Sequence, residues 1–302
     1  MPARLTGATL EAQPGDCLMH LFVLALLLAT AGPATANPLF TDPPATAAPR
    51  ARMEVLHIPS GGVVINGVAY LAAGPGPHPT IVICHGWPGN EKNLDLAQAL
   101  RRAGWNAITF NYRGSWGSPG DFRFAQNPED ARAVLAYLRQ ADVAKALGID
   151  TGRIVLAGHS MGGWVTAMVA EEDPALAGTI LISAANMAML GAVPSDKLET
   201  RAASNSEALA GTSPAIQAAE LKAKASSLDA RPRAAGLARQ PLLVLTSDDG
   251  LKPATDPLVA AARAAGGQVT EAHEATDHSW SDRRLALAQR IYDWLQALPA
   301  KR

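Results

Sequence analysis

The sequence predicts an α/β fold in which a mostly parallel, twisted sheet carries helices on both faces and a small helical insertion. Short apolar runs rich in β-branched residues alternate with helix-forming segments along most of the 302 residues, and this alternation is typical of parallel sheets. Hydrophobic residues make up 48% of the chain, which is enough to bury a large core. Together these observations favour a single α/β domain.

The predicted elements follow one another in a regular order. Strands at 54–58 and 63–72 are separated by a Pro-Ser-Gly-Gly turn and are expected to form an antiparallel pair. Asn127 is expected to cap the helix that starts at Pro128, because asparagine followed by proline favours a helix start. Further strands are predicted at 80–84, 107–111, 153–157, 179–183, 242–246 and 268–272, and helices at 94–103, 128–138, 161–172, 257–265 and 284–298.

Composition divides the chain into regions. Residues 37–52 are rich in proline, alanine and threonine and are expected to form a flexible lead-in. The folded domain is expected over 53–302. Between 184 and 240 the composition changes to alanine, serine and charged residues. This change indicates a helical cap insertion over the carboxyl ends of the strands, the edge at which open α/β sheets bind ligands.

Residues 1–36 are interpreted as a signal peptide. An apolar run from Leu18 ends at 34–36 in Ala-Thr-Ala, whose small first and third residues are typical of a cleavage site. Cleavage is expected after Ala36, and translation could begin at Met19, which would start a compact signal directly. The mature protein is therefore expected to be secreted or periplasmic, with no stable membrane insertion.

Composition and motif content exclude several classes of function. The formal net charge is −1 and no lysine- or arginine-rich run is present, so nucleic acid is not an expected partner. Cys17 and Cys84 are the two cysteines, and Cys17 falls in or before the signal, so no internal disulfide framework is expected. The sequence lacks H-E-x-x-H, paired C-x-x-C and phosphate-binding glycine patterns, which favours a function without metal or cofactor.

One serine stands at a predicted junction between a strand and a helix. The segment Gly158-His159-Ser160-Met161-Gly162 has the G-x-S-x-G spacing that places a serine on a strained turn with its Oγ exposed. Gly158 and Gly162 lack a Cβ, so the strand and helix backbones can approach closely there. The helix N-terminus would direct its N–H groups towards Ser160, which suits an oxyanion forming there. Ser160 is therefore the candidate nucleophile.

A serine nucleophile needs a histidine base and a carboxylate that orients the histidine. When the serine lies on such a turn, the acid and then the histidine follow it along the chain, which leaves His273 and His278 as candidates. His278 is preferred because it lies in a polar loop before the last helix, whereas His273 lies at a strand end. Asp248 and Asp249 both follow a predicted strand. Asp249 is preferred because its place before a glycine suits a side chain aimed across the strand ends.

The loop after the third predicted strand supplies the other half of the site. In sites of this kind the backbone N–H of Trp87 and that of Met161, the residue after the nucleophile, point at one position and would form an oxyanion hole. His85 and Arg113 are expected to have structural roles, in hydrogen bonding and in tying loops together. Trp87 and Trp280 are the tryptophans expected near the site.

These motifs resemble those of the α/β-hydrolase superfamily over 53–302. The resemblance rests on His85-Gly86, Tyr112-Arg113-Gly114, the segment around Ser160, Asp249 and His278. Within the superfamily, the segment 111–120 is similar to that of dienelactone-hydrolase-like and acylaminoacyl-peptidase-like serine hydrolases. Dienelactone hydrolases proper have a cysteine nucleophile, and the related peptidases usually carry a large extra β domain that this sequence is not expected to include. Their specific substrates are therefore not carried over.

The resemblance implies a serine hydrolase that cleaves carboxylic esters of small molecules through an acyl-enzyme on Ser160. A peptidase, an amidase or an acyltransferase could use the same triad, and the sequence leaves these alternatives open. The alternative of another class is a catalytically silent binding protein. The complete set of Ser160, Asp249 and His278 argues against that alternative.

Overall fold

The computed structural model describes residues 36–299. The signal peptide predicted at 1–36 lies outside this range except for Ala36, after which cleavage is expected. The unit that contains the sheet begins at Pro38. No helix in the described range combines the length and the apolar character needed to cross a bilayer.

Eight strands form one sheet within residues 36–299, in the order β1-β2-β4-β3-β5-β6-β7-β8. The pairs β1/β2 and β2/β4 are antiparallel, and all other neighbouring pairs are parallel. The mostly parallel sheet predicted from the sequence is therefore confirmed. The strands are β1 (Arg52–Ser60), β2 (Val63–Leu71), β3 (His78–Cys84), β4 (Asn106–Phe110), β5 (Ile149–His159), β6 (Gly178–Ile182), β7 (Leu242–Ser247) and β8 (Val269–Glu274).

Helices connect the parallel strands and fill the segment between β6 and β7. The α-helices are α1 (Leu94–Arg102), α2 (Asn127–Leu138), α3 (Ala141–Leu147), α4 (Met161–Ala170), α5 (Met187–Leu190), α6 (Ser195–Ala203), α7 (Pro214–Ala223), α8 (Ala234–Leu237), α9 (Lys252–Ala264) and α10 (Arg284–Gln296). Short 3-10 helices occur at Pro38–Phe40, Phe124–Gln126 and Arg231–Arg233. The segment between β6 and β7, where the sequence indicates an insertion, thus carries α5 to α8.

The sheet has an apolar core on each face. Along β3, Val82 and Cys84 belong to one core and Ile81 and Ile83 to the other, because successive side chains of a strand point to opposite faces. Helices α1 and α10 cover the second core, and α2, α4 and α9 contribute to the first. Helices on both faces explain why the central strands read as continuously apolar runs.

The lead-in predicted at 37–52 is more ordered than expected. Leu39 is fully buried in the same core as Leu96 and Leu100 of α1, and Arg102 Nε donates to Leu39 O at 2.6 Å. Burial of this leucine removes its apolar surface from water and fixes the 3-10 helix against α1. The correction is that part of the lead-in packs on the domain.

Two helix predictions also differ from the structure, and one helix was not predicted. Asn127 does not cap α2 but is its first residue, and its buried side chain donates to Met161 Sδ at 3.4 Å. Helix α9 begins at Lys252 rather than near Pro257. Pro253, not Pro257, occupies the first turn, where prolines are favoured, and Pro257 lies inside the helix. Helix α3 was not predicted, since its seven residues are too short for a clear periodic pattern.

Candidate active site

Ser160 occupies a sharp turn between β5 and α4. Its φ of 58° lies in the left-handed region that residues other than glycine rarely adopt. Its backbone N–H donates to Ile182 O at 2.9 Å, and its carbonyl accepts from Gly163 and Ala185. The neighbouring strand and the first turn of α4 therefore hold this strained residue in place.

The glycines around Ser160 are required by close packing. A Cβ on Gly158 would overlap the Gly162 carbonyl, and a Cβ on Gly162 would overlap the Cys84 carbonyl at the end of β3. A Cβ on Gly86 would lie 3.1 Å from Ser160 Cβ. The ends of β3 and β5 and the start of α4 thus meet at Ser160, as the spacing of the sequence motif predicts.

Asp249 and His278 form a pair next to Ser160. Asp249 Oδ2 lies 2.7 Å from His278 Nδ1, and Asp249 Oδ1 accepts from Leu251 N at 2.9 Å. The Asp249 side chain is 3% exposed, whereas that of His278 is 40% exposed. A buried acceptor therefore orients a partly exposed imidazole and leaves its Nε2 on the side away from the carboxylate.

The carboxyl group of Asp249 is held in its ionised form. Burial alone would raise its pKa, but hydrogen bonds from His278 and from Leu251 N outweigh that effect, and the Ser247 hydroxyl and the charge on His278 add to the lowering. The resulting pKa is about 2, against a usual value of 3.8. Asp249 is thus an anion throughout the pH range in which an imidazole can accept a proton.

The alternative acid and base identified in the sequence pair with each other instead. His273 Nε2 lies 3.0 Å from Asp248 Oδ1, and His273 Nδ1 lies 2.9 Å from Thr246 Oγ1. Both side chains are solvent-exposed, at 43% and 62%, and neither lines the cavity that contains Ser160. The structure therefore brings Asp249 and His278, rather than Asp248 and His273, to the serine.

The loop after β3 approaches the serine from the other side. Trp87 and Met161 line the same cavity as Ser160 and His278, and Met161 is the first residue of α4, where the backbone N–H has no partner within its own helix. Trp87 Nε1 donates to Gln217 Oε1 of α7 at 3.0 Å. This contact fixes the side chain of Trp87 against the segment between β6 and β7.

The cavity has a volume of about 450 Å³, within the range of about 300–1,000 Å³ that is usual for small-molecule sites. Ser160, Asp249 and His278 lie on its wall, but Ser160 Oγ makes no hydrogen bond within the described residues. In an enzyme without its ligand, catalytic hydrogen bonds are often long and tighten when the substrate binds. The remaining lining residues are Ala185, Asn186, Met187, Met189, Leu190, Val193, Arg201, Asn205, Gly250, Leu251, Pro253 and Ala254.

His159 is a site residue that the sequence analysis did not single out. Its Nε2 donates to His278 O at 2.8 Å, and the two rings are 4.6 Å apart between centroids. Burial, with a smaller effect of the charge on His278, lowers the pKa of His159 to about 4. Its position directly before Ser160 could have identified it. His159 is the last residue of β5, and the end of that strand lies beside the loop that carries His278.

A second set of contacts lies behind Asp249. Trp280 Nε1 donates to Ser183 Oγ at 3.1 Å, and Ser183 Oγ lies 2.8 Å from Ser247 Oγ. Trp280 is fully buried in the core and does not line the cavity, so it reaches the site through these hydroxyls rather than by direct contact. Ser183 directly follows β6, and Ser247 is the last residue of β7. Because β6 and β7 are neighbours in the sheet, these positions could have indicated that the two serines lie close together.

Arg113 and His85, the two residues expected to have structural roles, contact groups outside the proposed triad. Arg113 forms ion pairs with Asp130 and Glu129 of α2 at 2.6 and 2.7 Å. His85 Nδ1 donates to Gly86 O at 2.8 Å, and burial lowers its pKa to about 4. Among residues 36–299 no group of three or more histidine, cysteine, aspartate or glutamate side chains could hold a metal ion.

Two curated proteins are similar to parts of this chain. An uncharacterized protein of Mycobacterium tuberculosis is 31% identical over 134 residues, which cover 44% of this chain and 46% of that protein. An uncharacterized 31.7 kDa protein of Escherichia coli, from the traX-finO intergenic region, is 36% identical over 101 residues, which cover 32% and 34%. The chain therefore spans less than half the length of these relatives.

Solved structures and a family model identify the fold. An esterase of Pyrobaculum calidifontis aligns with a TM-score of 0.64 and 21% identity, over 82% of this chain and 86% of that one. An acylaminoacyl peptidase of Pyrococcus horikoshii aligns with a TM-score of 0.63 and 18% identity, over 83% and 42%. The model of the alpha/beta hydrolase family matches residues 81–290. This match spans most of the chain, including Ser160, Asp249 and His278, and we conclude that the chain belongs to the alpha/beta hydrolase family.

Proposed function

We propose that this hydrolase cleaves carboxylic esters by a serine mechanism, with Ser160 as nucleophile, His278 as base and Asp249 as the group that orients His278. One observation carries the proposal. The buried Asp249 carboxylate holds His278 at 2.7 Å, and His278 and Ser160 line the same cavity. A hydroxyl is a weak nucleophile at neutral pH, and this arrangement supplies the base that it needs.

In the first half of the reaction Ser160 Oγ attacks the carbonyl carbon of the ester while His278 Nε2 takes the hydroxyl proton. Asp249 keeps the proton on His278 Nδ1 and stabilises the imidazolium that forms. The backbone N–H groups of Trp87 and Met161 donate to the oxyanion of the tetrahedral intermediate. The intermediate then breaks its bond to the alcohol, which leaves with the proton from His278.

In the second half, His278 removes a proton from water as the water attacks the acyl-enzyme. The second tetrahedral intermediate expels Ser160 Oγ, which regains its proton from His278, and the carboxylic acid is released. No metal or cofactor is needed for these steps.

The sequence pattern of residues 18–36 supports the proposal that the enzyme is secreted or periplasmic.

The test compares p-nitrophenyl esters from acetate to palmitate as substrates of the chain from Asn37 onwards and of its Ser160→Ala variant. Hydrolysis by the parent and its loss in the variant support the proposal, and the acyl length with the highest kcat/KM gives the length of the acyl site. Equal activity of the two proteins would refute Ser160 as nucleophile.

Labelling with a fluorophosphonate separates the alternatives if no ester is hydrolysed. A parent protein that reacts at Ser160 without cleaving esters would indicate a peptidase, an amidase or an acyltransferase. A parent protein that neither reacts nor cleaves would indicate a binding protein that keeps the hydrolase fold.

A further inference from the structure

The cavity beside Ser160 contains one cationic side chain that the proposed triad does not use. Arg201 lies near the end of α6, and it is the only lysine or arginine among the lining residues, all of which belong to the described part of the chain. Asn205 lies next to it, and its Nδ2 donates to the backbone carbonyl of Arg201 at 2.8 Å. This bond satisfies a carbonyl near the end of α6 and so stabilises the helix end that carries Arg201.

The guanidinium of Arg201 has no partner. Within residues 36–299 no carboxylate oxygen lies within 4.0 Å of it and no acceptor takes a hydrogen bond from it. Arg113 and Arg284, by contrast, each pair with two carboxylates. An arginine carries five N–H donors in a planar fork. Arg201 is exposed and lines the cavity, so its donors are available to a ligand that binds there.

The rest of the cavity cannot neutralise this charge. Asp249 is the only carboxylate in the lining, and it is 3% exposed and engaged by His278. The other walls are largely apolar, formed by side chains such as Met187, Leu190 and Leu251. A ligand that matches the cavity therefore has an apolar body and, in addition to the group that reacts with Ser160, a negative charge for Arg201.

We propose that Arg201 binds a carboxylate of the substrate, so that the enzyme prefers esters that carry a carboxylate remote from the scissile bond. This inference rests on the proposed function, since it names the substrate class of the same site. The planar fork of arginine matches a carboxylate in a bidentate manner, which favours this anion over a neutral amide of the same shape.

The first experiment compares ester pairs that differ only in charge. In the first pair the group that differs is on the acyl side: mono-p-nitrophenyl adipate carries a carboxylate, and p-nitrophenyl 5-carbamoylpentanoate carries a neutral amide in its place. The pair 4-acetoxybenzoate and 4-acetoxybenzamide place this group on the alcohol side. For at least one pair, the ratio of kcat/KM values, carboxylate over amide, is expected to be about fivefold higher in the parent than in Arg201→Gln, the upper end for a solvent-accessible ion pair.

Lys197→Gln is the matched control, because Lys197 is exposed on the same helix and does not line the cavity. This variant loses the same charge from α6 and is expected to keep the parent's ratio. The preference of the parent is also expected to shrink between about 20 and about 500 mM NaCl, since salt screens an exposed pair. An equal ratio in the parent and Arg201→Gln, or an equal loss in both variants, would overturn the inference.

A binding measurement tests Arg201 independently of the reaction. The Ser160→Ala protein is titrated with the monoanilide of adipic acid and with its carbamoyl analogue, and the acid is expected to bind about fivefold more tightly. Adding Arg201→Gln is expected to remove the difference. Equal affinities, or no binding of the acid, would refute the carboxylate site. If the acid binds as expected and no ester is hydrolysed, the proposed function fails while the site remains.

Discussion

Replacing His159 is expected to reduce the dependence of stability on pH. His85 and His159 are buried, at 2% and 4% exposed, and burial is the main reason that the pKa of each falls from 6.5 to about 4. Both histidines are therefore neutral in the folded protein at pH 5, whereas the same residues in the unfolded chain are mostly protonated.

The sign and size of the effect follow from these pKa values. Between pH 6.5 and about 4 the unfolded state binds more protons than the folded state, so the free energy of unfolding falls as the pH falls. From pH 7 to pH 5 this loss is about 2 kcal/mol for each histidine, because a tenfold difference in proton affinity is worth about 1.4 kcal/mol. For His85 and His159 together, the free energy of unfolding is therefore expected to fall by about 4 kcal/mol between pH 7 and pH 5.

The assay is urea unfolding followed by tryptophan fluorescence at pH 7 and pH 5. In His159→Gln the new amide can still donate to His278 O, and the loss between the two pH values is expected to be about 2 kcal/mol instead of about 4. His57→Gln changes a histidine exposed on β1 and should behave like the parent. A loss in His159→Gln as large as in the parent would refute the neutral, buried state of His159.

Further substitutions test the acid, the turn and a buried ion pair. Asp249→Asn is expected to lower kcat by about 10⁴-fold, as loss of the orienting carboxylate does in serine hydrolases. Asp248→Asn should leave kcat nearly unchanged, and steady-state kinetics on one ester compare the two variants. Gly162→Ala should lower the free energy of unfolding by about 3 kcal/mol, because its Cβ would overlap the backbone at Cys84. Gly152→Ala is the control, since a Cβ at that position has room, and thermal melting compares the two variants. Arg113→Met should cost about 3–5 kcal/mol in urea unfolding because it leaves a buried carboxylate unpaired, and an unchanged midpoint would contradict the structural role of Arg113.

Much of the sheet could be predicted because its strands are short apolar runs that end in glycine or polar residues. The position of Ser160 followed from the glycines around it, which the close approach of β3, β5 and α4 requires. Chain order then reduced the choice of partners to two histidines, and loop position favoured Asp249 and His278, which the structure places 2.7 Å apart. Local sequence carried this information because each residue lies in the turn or loop that follows a strand.

The residues that the sequence did not reveal act through tertiary contacts. Arg201 reaches the cavity because of how α6 packs: the spacing of Leu198 and Ala202 indicates a buried helix face, but local sequence does not show which part of the fold that face contacts. Asn127 has the sequence context of a helix cap, but its side chain turns to Met161 Sδ, so burial against α4 overrides the local preference. Leu39 lies in a proline-rich stretch whose composition indicates flexibility, and one buried side chain outweighs it.

Helix α7 connects the segment between β6 and β7 to the loop that carries Trp87. Gln217 of α7 is fully buried and accepts from Trp87 Nε1, and Glu220 accepts from the backbone N–H groups of Phe124 and Ala125 at 3.0 and 2.9 Å. A chimaeric enzyme that received this segment from another family member would lose both connections unless the donor sequence supplied equivalent side chains. Segment exchange in this protein would therefore alter turnover together with selectivity, unless the incoming segment kept both Gln217 and Glu220.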